Sequence, residues 1–264
     1  LKNVFVSLGG GCDAATNLKK LGLRHEQYPF DWLWNLDAGL DYVSKIIATD
    51  FKGLTSKHDY TYASHQINPV EKFLIFKNYP KIAHLHSNPH DNSDVLADYR
   101  VRIDRFRKLI KDTGEKTTFI YYRNAAVAEE NSINDFHAEV SHLKSETTLF
   151  EEMMARLHPD KTFSLVSLLA IPATCFDNHS LRENLRRTCS CSRSARTTFE
   201  IVPMRDDRYP EQFNAWTDEW TAALRRARAV SPLDLMRGKM SKRKNRTRKK
   251  LTRLLPRTSA RLLG

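Results

Sequence analysis

Nine consecutive positions, Phe163 to Ile171 (FSLVSLLAI), hold only two serines among apolar side chains, a pattern that predicts a buried strand. Shorter runs of the same kind recur at residues 3–8 (NVFVSL), 72–76 (KFLIF), 81–87 (KIAHLHS), 117–122 (TTFIYY) and 199–203 (FEIVP). Asn78-Tyr79-Pro80 reads as the connection between the second and third of these. Elsewhere the period lengthens to that of a helix. Across residues 93–111, Val95, Tyr99, Ile103, Phe106 and Ile110 mark one face, with Arg100, Arg102, Arg105 and Lys108 mostly off it. Residues 12–22, 37–50, 134–158 (in one piece or two) and 210–228 also read as helices, with Asp37 the N-cap of the second and Phe213, Trp216, Trp220 and Leu224 on one side of the last. The polar stretch 174–197 reads as a loop. Strand and helix alternate in the second half, which predicts an α/β fold: a three-layer domain with a mostly parallel central sheet.

Charge changes this picture at one end only. The chain has 264 residues and a formal net charge of +12, but residues 225–264 contain 15 of the 43 Lys and Arg and one of the 31 acids, Asp234. The remainder is close to neutral, so the basic character gives no warrant for a whole-protein nucleic-acid reading. We therefore divide the chain into an α/β domain, residues 1–228, and a basic tail, residues 229–264. Three readings of the tail stand: a solvated appendage, a surface that meets an anionic membrane, and a nucleic-acid contact. The last is the weakest because the tail has no aromatic residue to stack on bases.

No run approaches the roughly 18 apolar residues of a membrane span. The first residue is Leu1, not Met, so the lack of a leader carries no weight. The four cysteines form no Cys-x-x-Cys pair, and a reducing, cytoplasmic setting follows as the expectation, with the tail placing the protein peripherally at the inner membrane surface. No His-Glu-x-x-His motif is present, and neither a metal nor a cofactor is expected.

The chemistry concentrates near the N-terminus. A strand, three glycines (Gly9, Gly10, Gly11), Cys12 and then a helix place backbone N–H groups and the helix dipole where an anion is favoured. That anion is either a ligand phosphate or the Cys12 thiolate, whose pKa such a position lowers. The plainer alternative is a close-packing glycine turn beside a small buried thiol.

The stretch Ser7-Leu8-Gly9-x-x-Cys12, Leu18-Lys19-Lys20-Leu21-Gly22-Leu23-Arg24 and Tyr28-Pro29-Phe30-Asp31-Trp32-Leu33 resembles the signature of a family named "Putative papain-like cysteine peptidase", a domain of unknown function from bacteria and large DNA viruses. His90-Asp91 followed by a basic helix, and the strand ending in Arg123, resemble two further blocks; together they cover residues 3–124. The resemblance implies a cysteine-dependent hydrolase or acyl-transfer enzyme acting on a peptide or small acyl substrate. Cys12 would be its nucleophile, His90 or His86 its base, and Asp31 or Asp91 the carboxylate that orients the histidine. Arg123, just past a strand, suits a carboxylate or phosphate ligand, or else a salt bridge to Glu129 or Glu130.

Fold and family pull apart at one point. Papain-like enzymes set the cysteine helix against an antiparallel sheet that carries the histidine, whereas the alternation here places Cys12 after the first strand of a parallel one. That leaves two other readings open: a glycan- or nucleotide-sugar-linked transferase in which Gly9, Gly10 and Gly11 cradle phosphate, and a non-catalytic binding module.

Overall fold

Residues 117–122 and 165–171 are buried on both alternating faces, as strands inside a sheet covered on both sides are. The structure, a computed structural model, describes residues 3–35, 39–64, 72–84, 87–125, 133–191, 194–204 and 213–240. It places those two segments at the centre of a four-stranded parallel sheet.

In chain order the elements are β1 (Asn3–Ser7), α1 (Cys12–Leu21), β2 (Leu33–Asn35), α2 (Leu40–Ala48), β3 (Tyr60–Ser64), β4 (Lys72–Phe76), β5 (Tyr79–His84), α3 (Ser93–Lys111), β6 (Lys116–Asn124), α4 (Ile133–Leu157), β7 (Phe163–Ile171), α5 (Ala173–Asp177), α6 (His179–Cys191), β8 (Thr197–Pro203) and α7 (Phe213–Arg226). Residues 232–240 are also helical and are called α8.

The parallel sheet has the order β1-β6-β7-β8, with Phe5 opposite Thr118 and Ile120 opposite Val166. One face carries α1 and α7: Ala14, Leu18, Trp216, Trp220 and Leu224 pack on Phe5, Ile120, Tyr122, Val166 and Leu168. The Trp220 ring stacks on Tyr122 at 5.4 Å between centroids. The other face carries α3, α4 and α6, whose Ile103, Phe106, Val140, Phe150 and Leu185 bury Val4, Val6, Phe119, Tyr121 and Leu165. Helices on both faces of a parallel sheet make the three-layer α/β fold.

Between α1 and α3 the chain builds a second sheet, antiparallel, in the order β2-β5-β4-β3. The pattern revealed β4 and β5 but not their partners, because β2 has three residues and β3 (YTYAS) has no apolar run. Three more differences have physical causes. The stretch 174–197 contains α5 and α6: Leu185 and Cys189 are buried one turn apart, a stripe hidden in the sequence by the surrounding arginines. Helix α4 is one continuous element of 25 residues. Residues 232–240, assigned to the tail on charge, form α8, with Leu235 buried against the α1–α7 layer. The N-cap expected at Asp37 lies outside the described residues. Among those residues no helix is long and apolar enough to cross a membrane.

Candidate active site

The turn after β1 is shaped by what lies under it. The Leu8 N–H donates to Ile120 O at 2.8 Å, prolonging the β1–β6 ladder, and the chain must then cross the end of β6 to start a helix on the other face. A side chain at Gly10 cannot make that crossing. Its Cβ would sit 1.5 Å from the Tyr122 carbonyl oxygen, and its φ of +89° is left-handed. Gly11 then serves as the N-cap of α1 without any side-chain cap bond, and Cys12 is the first helical residue. Cys12 is partly exposed at the carboxyl edge of the parallel sheet, at the N-terminus of α1. Asp13 already supplies one negative charge to that turn.

One wall of the turn is the approach to β2. At Gly9 an added Cβ would meet Asn35 Oδ1 at 3.2 Å and the carbonyls of Leu33 and Phe30 at 3.4 Å. This wall is held in place by Asp31. The buried Asp31 Oδ2 accepts from Arg24 Nη1 at 2.9 Å and from the Tyr28 N–H at 3.2 Å, while the Arg24 guanidinium lies over the Trp32 ring. Burial pushes the Asp31 carboxyl up to about 6, against the opposing pull of Arg24. Asp31 therefore ties the chain leaving α1 to the turn entering β2.

On the far side of the sheet edge, Arg123, next to last in β6, reaches α4. Its Nε donates to Glu139 Oε2 at 2.8 Å and its Nη1 to Glu146 Oε1 at 3.3 Å. His142 Nε2 lies 2.7 Å from the same Glu146 oxygen, and Glu146 Oε2 accepts the Leu40 N–H that opens α2. Burial raises the Glu146 carboxyl above its ordinary range. Burial raises the Tyr121 hydroxyl well above its ordinary pKa, and the nearby side chains of Asn35 and Arg123 oppose that rise. Sequence reasoning located Arg123 at the strand end but not its partners. Glu129 and Glu130, the carboxylates expected to pair with it, lie outside the described residues.

His90 is held elsewhere. Its Nδ1 lies 2.5 Å from Asp91 Oδ1, and Asp91 Oδ2 accepts from Asn88 Nδ2 at 2.9 Å and from the Tyr62 hydroxyl. The Tyr62 bond above all, then His90 and Asn88, hold the Asp91 carboxyl down at about 2. Tyr62 belongs to β3, the strand farthest from β2, three strand spacings or about 14 Å from the edge that lines Gly9. The structure thus brings together Cys12, Gly9, Gly10 and Gly11, with Arg123 at the neighbouring strand end, and pairs His90 with Asp91 at the far edge of the second sheet. His86 lies outside the described residues. His84, just before it, is buried and kept neutral, its pKa lowered to about 3 by burial.

Asn35, Tyr121, Glu139, His142 and Glu146 were not singled out from sequence. Glu139, His142 and Glu146 follow one another at helical spacing on α4, which in a sequence looks like an ordinary solvated face. Among the described residues, no three His, Cys, Asp or Glu side chains gather as a metal site.

No curated protein and no solved structure matches the chain significantly. A model of the family described as "Putative papain-like cysteine peptidase", a domain of unknown function, matches residues 3–156. That span is more than half of the chain and takes in β1, the glycine turn, the second sheet, β6 and nearly all of α4, so the chain belongs to this family.

Proposed function

We propose that the protein is a cysteine-dependent hydrolase or acyl-transfer enzyme. The Cys12 thiolate attacks the carbonyl carbon of an amide, ester or thioester in a peptide or small acyl substrate. The leaving amine, alcohol or thiol takes a proton as the bond to it breaks, and water or another acceptor then releases the acyl group from sulfur. The reading is carried by the position of Cys12: the first residue of α1, partly exposed, directly after the glycine turn. A helix N-terminus favours a thiolate and an oxyanion.

The base is a histidine. Asp91 fixes His90 at Nδ1, which leaves Nε2 to accept the proton and makes His90 the first candidate, although it is held at the far edge of the second sheet. His86, two residues past β5, is the second candidate.

The test is the pH dependence of iodoacetamide alkylation at Cys12, read by peptide mass spectrometry in wild type, His90→Ala and His86→Ala. An apparent pKa well below the ~8.5 of a free thiol, lost in one variant, is expected. A slow, unshifted Cys12 in all three would overturn the reading.

A second reading rests on the same turn. A glycine turn that opens a helix at the carboxyl edge of a parallel sheet also suits the phosphates of a nucleotide sugar. That reading requires thermal stabilisation by a nucleotide sugar that survives Cys12→Ser. A non-catalytic binding module would show neither a reactive thiol nor this stabilisation.

A further inference from the structure

Helix α8 is fixed to the body by one side and leaves the other bare. Leu235 is buried in the cluster that holds Leu18, Trp220 and Leu224. Gly238 lies flush on the end of α1, where a Cβ would come within 2.4 Å of Leu21 O and 3.0 Å of Gly22 O. At 100° per residue these two positions share a side. Leu233, Met236 and Met240 fall together on the opposite one, exposed at 53%, 60% and 59%. They account for three of the seven exposed large apolar side chains among the described residues, gathered within eight positions. Arg237 stands on the same outward side. The chain that follows, residues 241–264, contains ten Lys and Arg and no acid.

We infer that α8 docks the protein on an anionic lipid bilayer, the positive charge of the sequence that follows adding to the attraction. The apolar side chains enter the headgroup boundary while the surrounding lysines and arginines meet anionic headgroups, the combination that holds a helix in an interface. A single-stranded nucleic acid would use the charges but has no use for three aliphatic side chains, and residues 229–264 offer no aromatic to a base. The dock also sets the orientation. It engages the C-terminal end of α1, whereas Cys12 opens the other end about 15 Å away along the helix axis.

Flotation of the full chain with phosphatidylcholine vesicles, with and without phosphatidylserine, tests the inference. Wild type is expected to float only with the anionic vesicles, and less as salt is added. The triple variant Leu233→Ser, Met236→Ser, Met240→Ser keeps every charge; its partition is expected to fall roughly tenfold or more, with the thermal midpoint unchanged. Arg237→Glu with Lys239→Glu keeps the apolar side and should weaken anionic binding independently. Failure of wild type to float overturns the inference, as does equal flotation of wild type and the triple variant. Single-stranded RNA that binds both equally and strips wild type from vesicles would assign the surface to nucleic acid instead.

Discussion

At Asp31, two forces of opposite sign act on one carboxyl: burial raises its pKa from 3.8 to about 6, and Arg24 opposes that rise. Because the folded pKa exceeds the unfolded one, folding takes up a proton in this window. The stability that Asp31 contributes is full below 3.8 and is lost as pH rises through about 6. Arg24→Ala removes the only ion-pair partner of this carboxylate among the described residues and leaves it buried without a cation, a loss of about 3–5 kcal/mol where it stays ionised. Below the Asp31 pKa the variant takes a proton and recovers part of that loss. Urea unfolding on either side of this window checks it, and a loss independent of pH would show that the pair is not what holds the turn. The neighbouring glycines make a sharper contrast. Gly10→Ala drives a Cβ into the Tyr122 carbonyl and is expected to cost more than ~3 kcal/mol. Gly11→Ala meets only Asp13 Oδ2, at 3.9 Å, and carries little beyond the strain of its φ of +150°, about 1 kcal/mol. Thermal midpoints of the two variants separate close approach from backbone strain.

At the scale of elements, Glu146 is the joint between α4, the end of β6 and the start of α2. Glu146→Ala leaves the Leu40 N–H and half of the Arg123 guanidinium without acceptors, so a loss of about 3 kcal/mol is expected. Glu146→Gln retains an acceptor for Leu40 and should cost roughly 1–2 kcal/mol. His142→Ala removes an exposed partner and should stay within ~1 kcal/mol. Denaturant midpoints of the three variants give the order, and a Gln variant as unstable as the Ala variant would contradict the role given to Leu40. The same joint shows what a sequence reveals and what it hides. Strand β7 was readable to the residue because an apolar run is a local signal, and α3 because its five apolar positions repeat with one period. Cys12 and the glycine turn were readable for the same reason: three glycines followed by a helix can be recognised without knowing the fold. The Arg123 partners were not. Glu139 and Glu146 face inward only because β6 delivers a guanidinium to that side of α4, and this juxtaposition depends on the parallel register of β6 and β7. Helix α6 was hidden differently, by arginines that mask a narrow apolar stripe.

For the whole molecule, the question raised by the sequence was whether Cys12 belongs to a parallel or an antiparallel architecture, and both are present. The cysteine follows the first parallel strand, and the second sheet supplies the wall at Gly9 and carries His90 at its far edge. Whether the two sheets move as one body turns on the aromatic cluster that joins them. The Phe106 ring meets Phe30 at 5.6 Å and Phe51 at 5.5 Å on the side of the second sheet, and Phe119 of β6 at 6.2 Å on the other. Phe119 in turn meets Phe150 and Phe163, so the contacts continue to α4 and β7. Phe106→Ala is therefore expected to cost about 3–5 kcal/mol and to lower the stability of both sheets by the same amount. Native-state hydrogen exchange reads this strand by strand. If β4 and β5 lose protection in step with β6 and β7, the sheets form one cooperative unit, and the Cys12 edge inherits its rigidity from both. If β4 and β5 open while β6 and β7 keep their protection, the second sheet is a separate unit, and the distance from His90 to Cys12 is set by its motion.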